Sequence, residues 1–175
     1  MCGCGLGASR LTVRMRRAVD SDVKALQRWE RAEHVWPVVS ADGARNWEAE
    51  IRHPWQEVWI AVVEGSDIGV LIVLDAEADP GRYWQDLAVD SVGIDIWIGE
   101  TQALHRGFGC QMMNFGLSRA RQLNRSRVVL DPVVNNKEAI SFYEHLGFSL
   151  HSRRNLGTEL CHVMHLNLVA DVPVT

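Results

Sequence analysis

The chain has 175 residues, 47% of them apolar, with ordinary glycine and proline content and a net charge of −4. That length and composition can bury a sizeable core in one domain and exclude a disordered or fibrous chain. No apolar run approaches the roughly 18 residues of a membrane span, and the acidic balance offers no basic face for nucleic acid.

Met1 to Ala8 is small and glycine-rich but lacks the apolar segment of a secretory signal. Residues 1–9 are therefore expected to be a flexible tail and residues 10–175 a single domain. Leu11-Thr12-Val13-Arg14-Met15-Arg16 alternates apolar and polar residues as an edge strand does. Asp20-Ser21-Asp22 can cap a helix running through Val23, Leu26 and Trp29 towards Ala32. The chain breaks around Pro37, and Asp42 can cap a second helix carrying Ala44, Trp47 and Ile51. Glu57 to Val63 and Ile68 to Leu74 read as strands joined by a tight hairpin, and their near-continuous apolar character predicts a sheet covered on both faces.

Asp79-Pro80-Gly81 opens a loop past Tyr83 and Trp84, and Val92 to Ile98 is the next strand. A glycine turn follows, then a helix from Gly109 with Met112, Met113, Leu117 and Ala120 near one stripe. Val128 to Leu130 is a strand, Lys137 to Leu146 a helix stopped by Gly147, and two further strands begin at Phe148 and Cys161. The order β-α-α-β-β-β-α-β-α-β-β is that of a mixed α/β layer.

Two features carry chemistry. Arg106-Gly107-Phe108-Gly109-Cys110 joins a strand to a helix, and two glycines one residue apart turn backbone N–H groups toward one point. With the partial positive charge of a helix N-terminus, the turn suits a pyrophosphate. The charge is also uneven: residues 30–100 carry 15 acidic against 4 basic side chains, whereas both flanks are net basic. Two readings are open, a solvated acidic surface or a middle built for a cation beside a C-terminal half built for a polyanion. The four cysteines form no disulfide framework, so reduced thiols and a cytoplasmic setting are expected, and no metal site is expected from Cys2 and Cys4.

The glycine turn, taken with Leu130-Asp131-Pro132-Val133-Val134-Asn135-Asn136 and Ala139-Ile140-Ser141-Phe142-Tyr143, resembles the acetyl-CoA site of GCN5-related N-acetyltransferases (GNAT). The resemblance implies a GNAT fold, with a mixed, mostly antiparallel sheet flanked by helices, and acetyl-CoA as co-substrate without a metal. It assigns the pyrophosphate to the backbone of Arg106, Gly107, Phe108, Gly109 and Cys110, and the pantetheine arm to Asn136. Polarisation of the thioester falls to a backbone N–H beside Ile98 or Gly99, and protonation of the departing thiolate to Tyr143. Leu104 departs from the family's Gln or Arg at that place. The alternative for Tyr143 is packing between helix and sheet, and for Cys110 a small residue at a helix start.

Gly93-Ile94-Asp95 and the loop Tyr83-Trp84-Gln85-Asp86 are similar to aminoglycoside 6′-N-acetyltransferases. That implies Asp95 as the residue that binds the acceptor amine and takes its proton, directly or through water. Asp131 then holds a second ammonium group, and Tyr83 and Trp84 line the acceptor side; Trp36, in a region that departs from that family, can floor a sugar-binding cleft by stacking or belong to the core. Alternation along a strand points Asp95, Trp97 and Gly99 to one face. The expected partner is a cationic small-molecule amine, with no membrane and no nucleic acid, in a chain that can pair as a homodimer. Two other readings stay open: the same chemistry on a polyamine, a siderophore precursor or a protein N-terminus, and a catalytically silent acyl-CoA-binding domain.

Overall fold

The longest apolar runs of the sequence become the centre of the sheet. In a computed structural model, which describes residues 11–39, 43–79, 83–84 and 86–168, strands β2 (Gln56–Val63) and β3 (Ser66–Asp75) pair antiparallel and are buried along most of their length. Glu64 and Gly65 join them at φ 50° and 82°, the two positive values that a type I′ hairpin needs. β1 (Arg14–Arg17) is the edge beside β2, and β4 (Ser91–Ile98) lies on the other side of β3. Then come β5 (Arg127–Leu130), β7 (Glu159–Asn167) and β6 (Ser149–Leu156), giving seven strands in the order β1-β2-β3-β4-β5-β7-β6. Only β4 and β5 run parallel among these neighbours, which makes the mixed, mostly antiparallel sheet expected of the fold.

Helices cover both faces. α4 (Phe108–Gln122) and α5 (Lys137–His145) bury Met112, Met113, Leu117, Ile140 and Tyr143 against one face. α1 (Val23–Glu30), α2 (Trp36–Val39) and α3 (Trp47–Glu50) cover the other with Leu26, Trp29, Val39 and Trp47. The chain does not break at Pro37 but passes it in the first turn of α2, where a missing N–H costs no helical bond. α3 is shorter than its apolar spacing implies and is capped by the Asn46 side chain, which accepts from Ala49 N–H. Asp42, the expected cap, lies outside the described residues, as do Pro80, Gly81, Gln85 and the Cys2/Cys4 tail. α4 begins at Phe108, one residue earlier than expected, because Gly107 takes the cap position at φ 79°. Among the described residues no helix is long and apolar enough to cross a membrane.

Charged pairs fasten the outer elements to this frame. Arg16 of β1 grips Asp22 with two bonds of 2.7 and 2.8 Å and reaches Asp67 at 2.8 Å. Asp22 also accepts from Val19 N–H at 2.8 Å. The turn before α1 is thus stitched by a carboxylate reaching backwards rather than by a side-chain cap. Arg119 of α4 makes a similar fork onto Glu57 of β2.

The Arg16 guanidinium holds the Asp22 carboxyl below its ordinary value, so this pair stabilises the fold above the unfolded carboxylate's pKa. The contribution fades as pH falls through the lower folded value. Asp22→Asn is expected to cost about 2 kcal/mol at pH 7, the scale of hydrogen bonds to a charged group. The gap in melting temperature between variant and wild type should close in acid as wild-type Asp22 protonates. Thermal melts across pH 2–8 check both.

Candidate active site

The sheet opens at one place. β4 and β5 stay in register only from Ser91↔Arg127 to Gly93↔Val129, after which β5 continues with β7 alone. From Ile94 onward β4 has no strand on that side. Gly99 N–H bonds Ile68 O at 2.9 Å, so backbone groups of odd-numbered β4 residues face β3. By the same alternation Ile94, Ile96 and Ile98 direct their N–H and C=O into the opening, where His34 Nε2 donates to Ile98 O at 2.9 Å.

Two cavities meet in that opening. A narrow one of about 110 Å³ lies between β4, β5 and α5 and is walled by Ile94, Ile96, Leu130, Asn136 and Tyr143. A wider one of about 360 Å³ lies toward α3 and the 83–88 loop, walled by Glu50, Trp55, Asp79, Tyr83 and Trp84. Asp95, Asp131, Arg45 and Leu156 line both, and so form the junction.

Tyr143 is 8% exposed, and burial followed by the nearby charges of Asp95 and Asp131 pushes its phenol above the ordinary value. Its hydroxyl therefore keeps its proton throughout the neutral range. Tyr83 is raised in the same way, by burial and then by Asp131. Asp131 thus stands electrostatically between the two tyrosines. The loop carrying Tyr83 and Trp84 is pinned from β6, where Arg154 Nη1 donates to Tyr83 O at 2.6 Å and both Arg154 and His151 bind Asp86. Asp86, from the same loop motif, faces β6 instead of the cavity.

The glycine turn has the form that its sequence implies. Gly107 adopts φ 79°, and the next residues begin a helix whose first N–H groups have no intrahelical acceptor. An added Cβ at Gly107 meets nothing within 4 Å, so space is open on that side for a large anion. Arg106 stands beside it with its guanidinium 5.2 Å from the Phe108 ring, and Cys110 is half-buried in the first turn. The Phe108 ring itself is buried, which leaves only its backbone for a ligand. These residues fit a pyrophosphate. Among the described residues no group of three or more His, Cys, Asp or Glu comes together as a metal site.

Four expectations change at this level. Gly99 cannot supply the polarising N–H, because Ile68 already accepts it and Trp29 packs so closely that a Cβ would lie 2.0 Å from Trp29 Cγ. Ile98 keeps that role open. Trp36 is 41% exposed at the start of α2 and lines neither cavity, so it is not part of this cleft. Asn136 commits its side-chain oxygen to Ala139 N–H as the cap of α5, leaving its NH₂ group for a ligand. Asp95 carries a cation of the protein's own, with Arg45 Nη2 at 2.7 Å from Oδ2.

Arg45 was not legible as a motif. Its one signal is scarcity, being one of four basic residues in the acidic stretch 30–100. Glu50 and Asp79 likewise join the site only through folding.

A comparison with curated protein sequences finds no match. Among solved structures, AAC(6')-Ib with ribostamycin and coenzyme A superposes at a TM-score of 0.79 with 19% identity, covering 93% of this chain and 97% of that one. An aminoglycoside N(6')acetyltransferase from Legionella pneumophila gives 0.73 and 19%, over 91% and 94%. A spermidine N-acetyltransferase chimera from Vibrio cholerae and hSSAT gives 0.68 and 15%, over 89% and 95%. At these identities the likeness is one of fold. The acetyltransferase (GNAT) domain model matches residues 18–156, and the chain belongs to the GNAT acetyltransferase family.

Proposed function

We propose that the protein transfers an acetyl group from acetyl-CoA to an amine of a polycationic small molecule, with the 6′-amine of an aminoglycoside as first choice. The observation that supports this best is the junction itself. Buried Tyr143, its phenol held protonated, lines a narrow cavity beside α5, and the carboxylates Asp95 and Asp131 stand in the wall between that cavity and a wide, acidic one.

Each residue has a task set by its place. The backbone of Gly107, Gly109 and Cys110, at the positive end of α4, holds pyrophosphate oxygens, and Arg106 adds charge beside them. The Asn136 NH₂ group and the open edge of β4 offer hydrogen bonds to an extended, amide-bearing arm. When bound, acetyl-CoA supplies a thioester carbonyl as the electrophile. The N–H of Ile98 polarises that oxygen. Asp95 Oδ1 accepts an N–H of the reacting amine and orients its lone pair, while Asp131 holds a neighbouring ammonium group. As the C–N bond forms and the C–S bond breaks, the amine gives up a proton toward Asp95 or water, and Tyr143 donates one to sulfur. No protein nucleophile is needed, and Cys110 lines neither cavity.

The acidic wide cavity also favours a second acceptor class, linear polyamines, and one solved structure of this fold is a spermidine N-acetyltransferase chimera. The two classes separate in a thiol-release assay with kanamycin, tobramycin, spermidine and a simple monoamine. Turnover of a 6′-amino aminoglycoside supports the first choice. Good turnover confined to the monoamine would overturn both classes.

Gly107→Val is expected to weaken coenzyme A binding, because a β-branched residue resists the left-handed φ of the turn. Unchanged affinity by calorimetry would remove the pyrophosphate from this turn. Tyr143→Phe should lower kcat roughly 10²–10⁴-fold, the range of a general acid, with coenzyme A affinity nearly intact. Near-normal turnover of that variant would return Tyr143 to a packing role.

A further inference from the structure

Among the described residues lining the wide cavity, Arg45 is the one cation in a wall that includes Glu50, Asp79, Asp95 and Asp131. Its place is built rather than incidental. Buried Glu30 of α1 accepts Arg45 N–H at 3.1 Å and Trp47 Nε1–H at 3.2 Å. The guanidinium carbon lies 5.9 Å from the Trp47 ring and 5.7 Å from Trp97, and the side chain is 13% exposed. Held there, Nη2 reaches Asp95 Oδ2 at 2.7 Å.

An unpaired carboxylate at this position would draw in an ammonium group and stabilise it as such. A protonated amine has no lone pair and cannot attack a carbonyl, so tight binding of that form works against the reaction. Asp95 joined to Arg45 is a different surface. The pair is close to neutral, and Oδ1 can accept an N–H, yet the adjacent guanidinium opposes a second full positive charge.

Resting on the acetyl-transfer reading of this junction, we propose that Arg45 makes the reactive position select the acceptor amine in its neutral form. Asp131, Glu50 and Asp79 meanwhile hold the acceptor's other ammonium groups in the wide cavity. Arg45 is thus a specificity-determining residue, and the substrate class it selects is a polycation with at least one ammonium remote from the reacting amine. A monoamine, with no second charge to anchor, is a poor acceptor.

Charged and titratable groups reach this position from every side. Asp95 comes from β4, Asp131 from the end of β5, the Tyr143 hydroxyl from α5 and the Cys161 thiol from β7. Behind Arg45 stands Glu30 of α1, which holds its backbone. Arg45 is the positive member of this set, so its removal isolates the effect.

Calorimetry of kanamycin and of spermidine binding to the coenzyme A complex, in two buffers of different ionisation enthalpy at pH 7, counts the protons exchanged. Wild type is expected to release more protons per acceptor than Arg45→Gln, up to about half a proton for a shift of one pKa unit, and Arg45→Lys to restore the release. In steady state, Arg45→Gln should lower acceptor KM roughly tenfold, the equivalent of one pKa unit. The acid limb of kcat should move up by about one pH unit. A merely structural role would move neither the proton count nor the limb. Arg45→Met provides a second neutral side chain between the tryptophans, and the variant retaining wild-type coenzyme A affinity is the one compared. Wild-type turnover with an unmoved proton count, or a lysine variant that behaves like the glutamine one, overturns the role of Arg45 alone. No wild-type turnover of either amine overturns the polycationic-acceptor reading and this role together.

Discussion

Everything at the site depends on the point where β4 and β5 stop bonding to each other. Through Gly93 they form an ordinary parallel pair; beyond it the strands part while each stays tied to its outer neighbour. A gap in mid-sheet normally leaves backbone groups without partners, which is costly when they are buried. Here the cost is offset by use. The freed edge of β4 faces a cavity that a polar, amide-bearing molecule can fill, and the gap connects the α4/α5 face of the sheet with the α1–α3 face. A large anionic donor and a cationic acceptor can approach one point from opposite sides without competing for surface.

The two sides differ in construction. The donor side rests on α4, a 15-residue helix whose Met112, Met113 and Ala120 are fully buried, so its N-terminus is fixed by the core. The acceptor side is assembled from short pieces: α3, the 83–88 loop and the turn after β5. These are held by particular polar bonds, Glu30 to Arg45 and Trp47, and Arg154 to Tyr83 and Asp86. Electrostatics follow the same division, with backbone dipoles serving the anion and side-chain charges the cation.

That contrast explains what could be seen in the chain before folding. The β2–β3 hairpin, β4, the glycine turn and α5 are local patterns, and each formed within a residue or two of its expected bounds. Asp95 within β4, Tyr143 within α5 and Asp131 just after β5 belong to local motifs, and folding brings all three to the narrow cavity. The acceptor wall was not legible because its contacts join distant residues. Arg45 and Asp95 are 50 positions apart, and nothing in either neighbourhood announces the other. Trp36 misled for the opposite reason: a tryptophan in a region rich in them suggests stacking, but α2 turns this one outward.

The bond from Arg154 to the 83–88 loop ends on a carbonyl oxygen of the main chain. Every amino acid offers that oxygen, so the anchor is indifferent to what stands at position 83. Asp86, gripped by the same arginine, faces away from the cleft and fixes the loop's course from behind. The cavity wall at position 83 can therefore change its side chain while its support stays in place. Such an arrangement lets acceptor range diverge among descendants of one scaffold by single replacements, with the donor half passing through that history untouched.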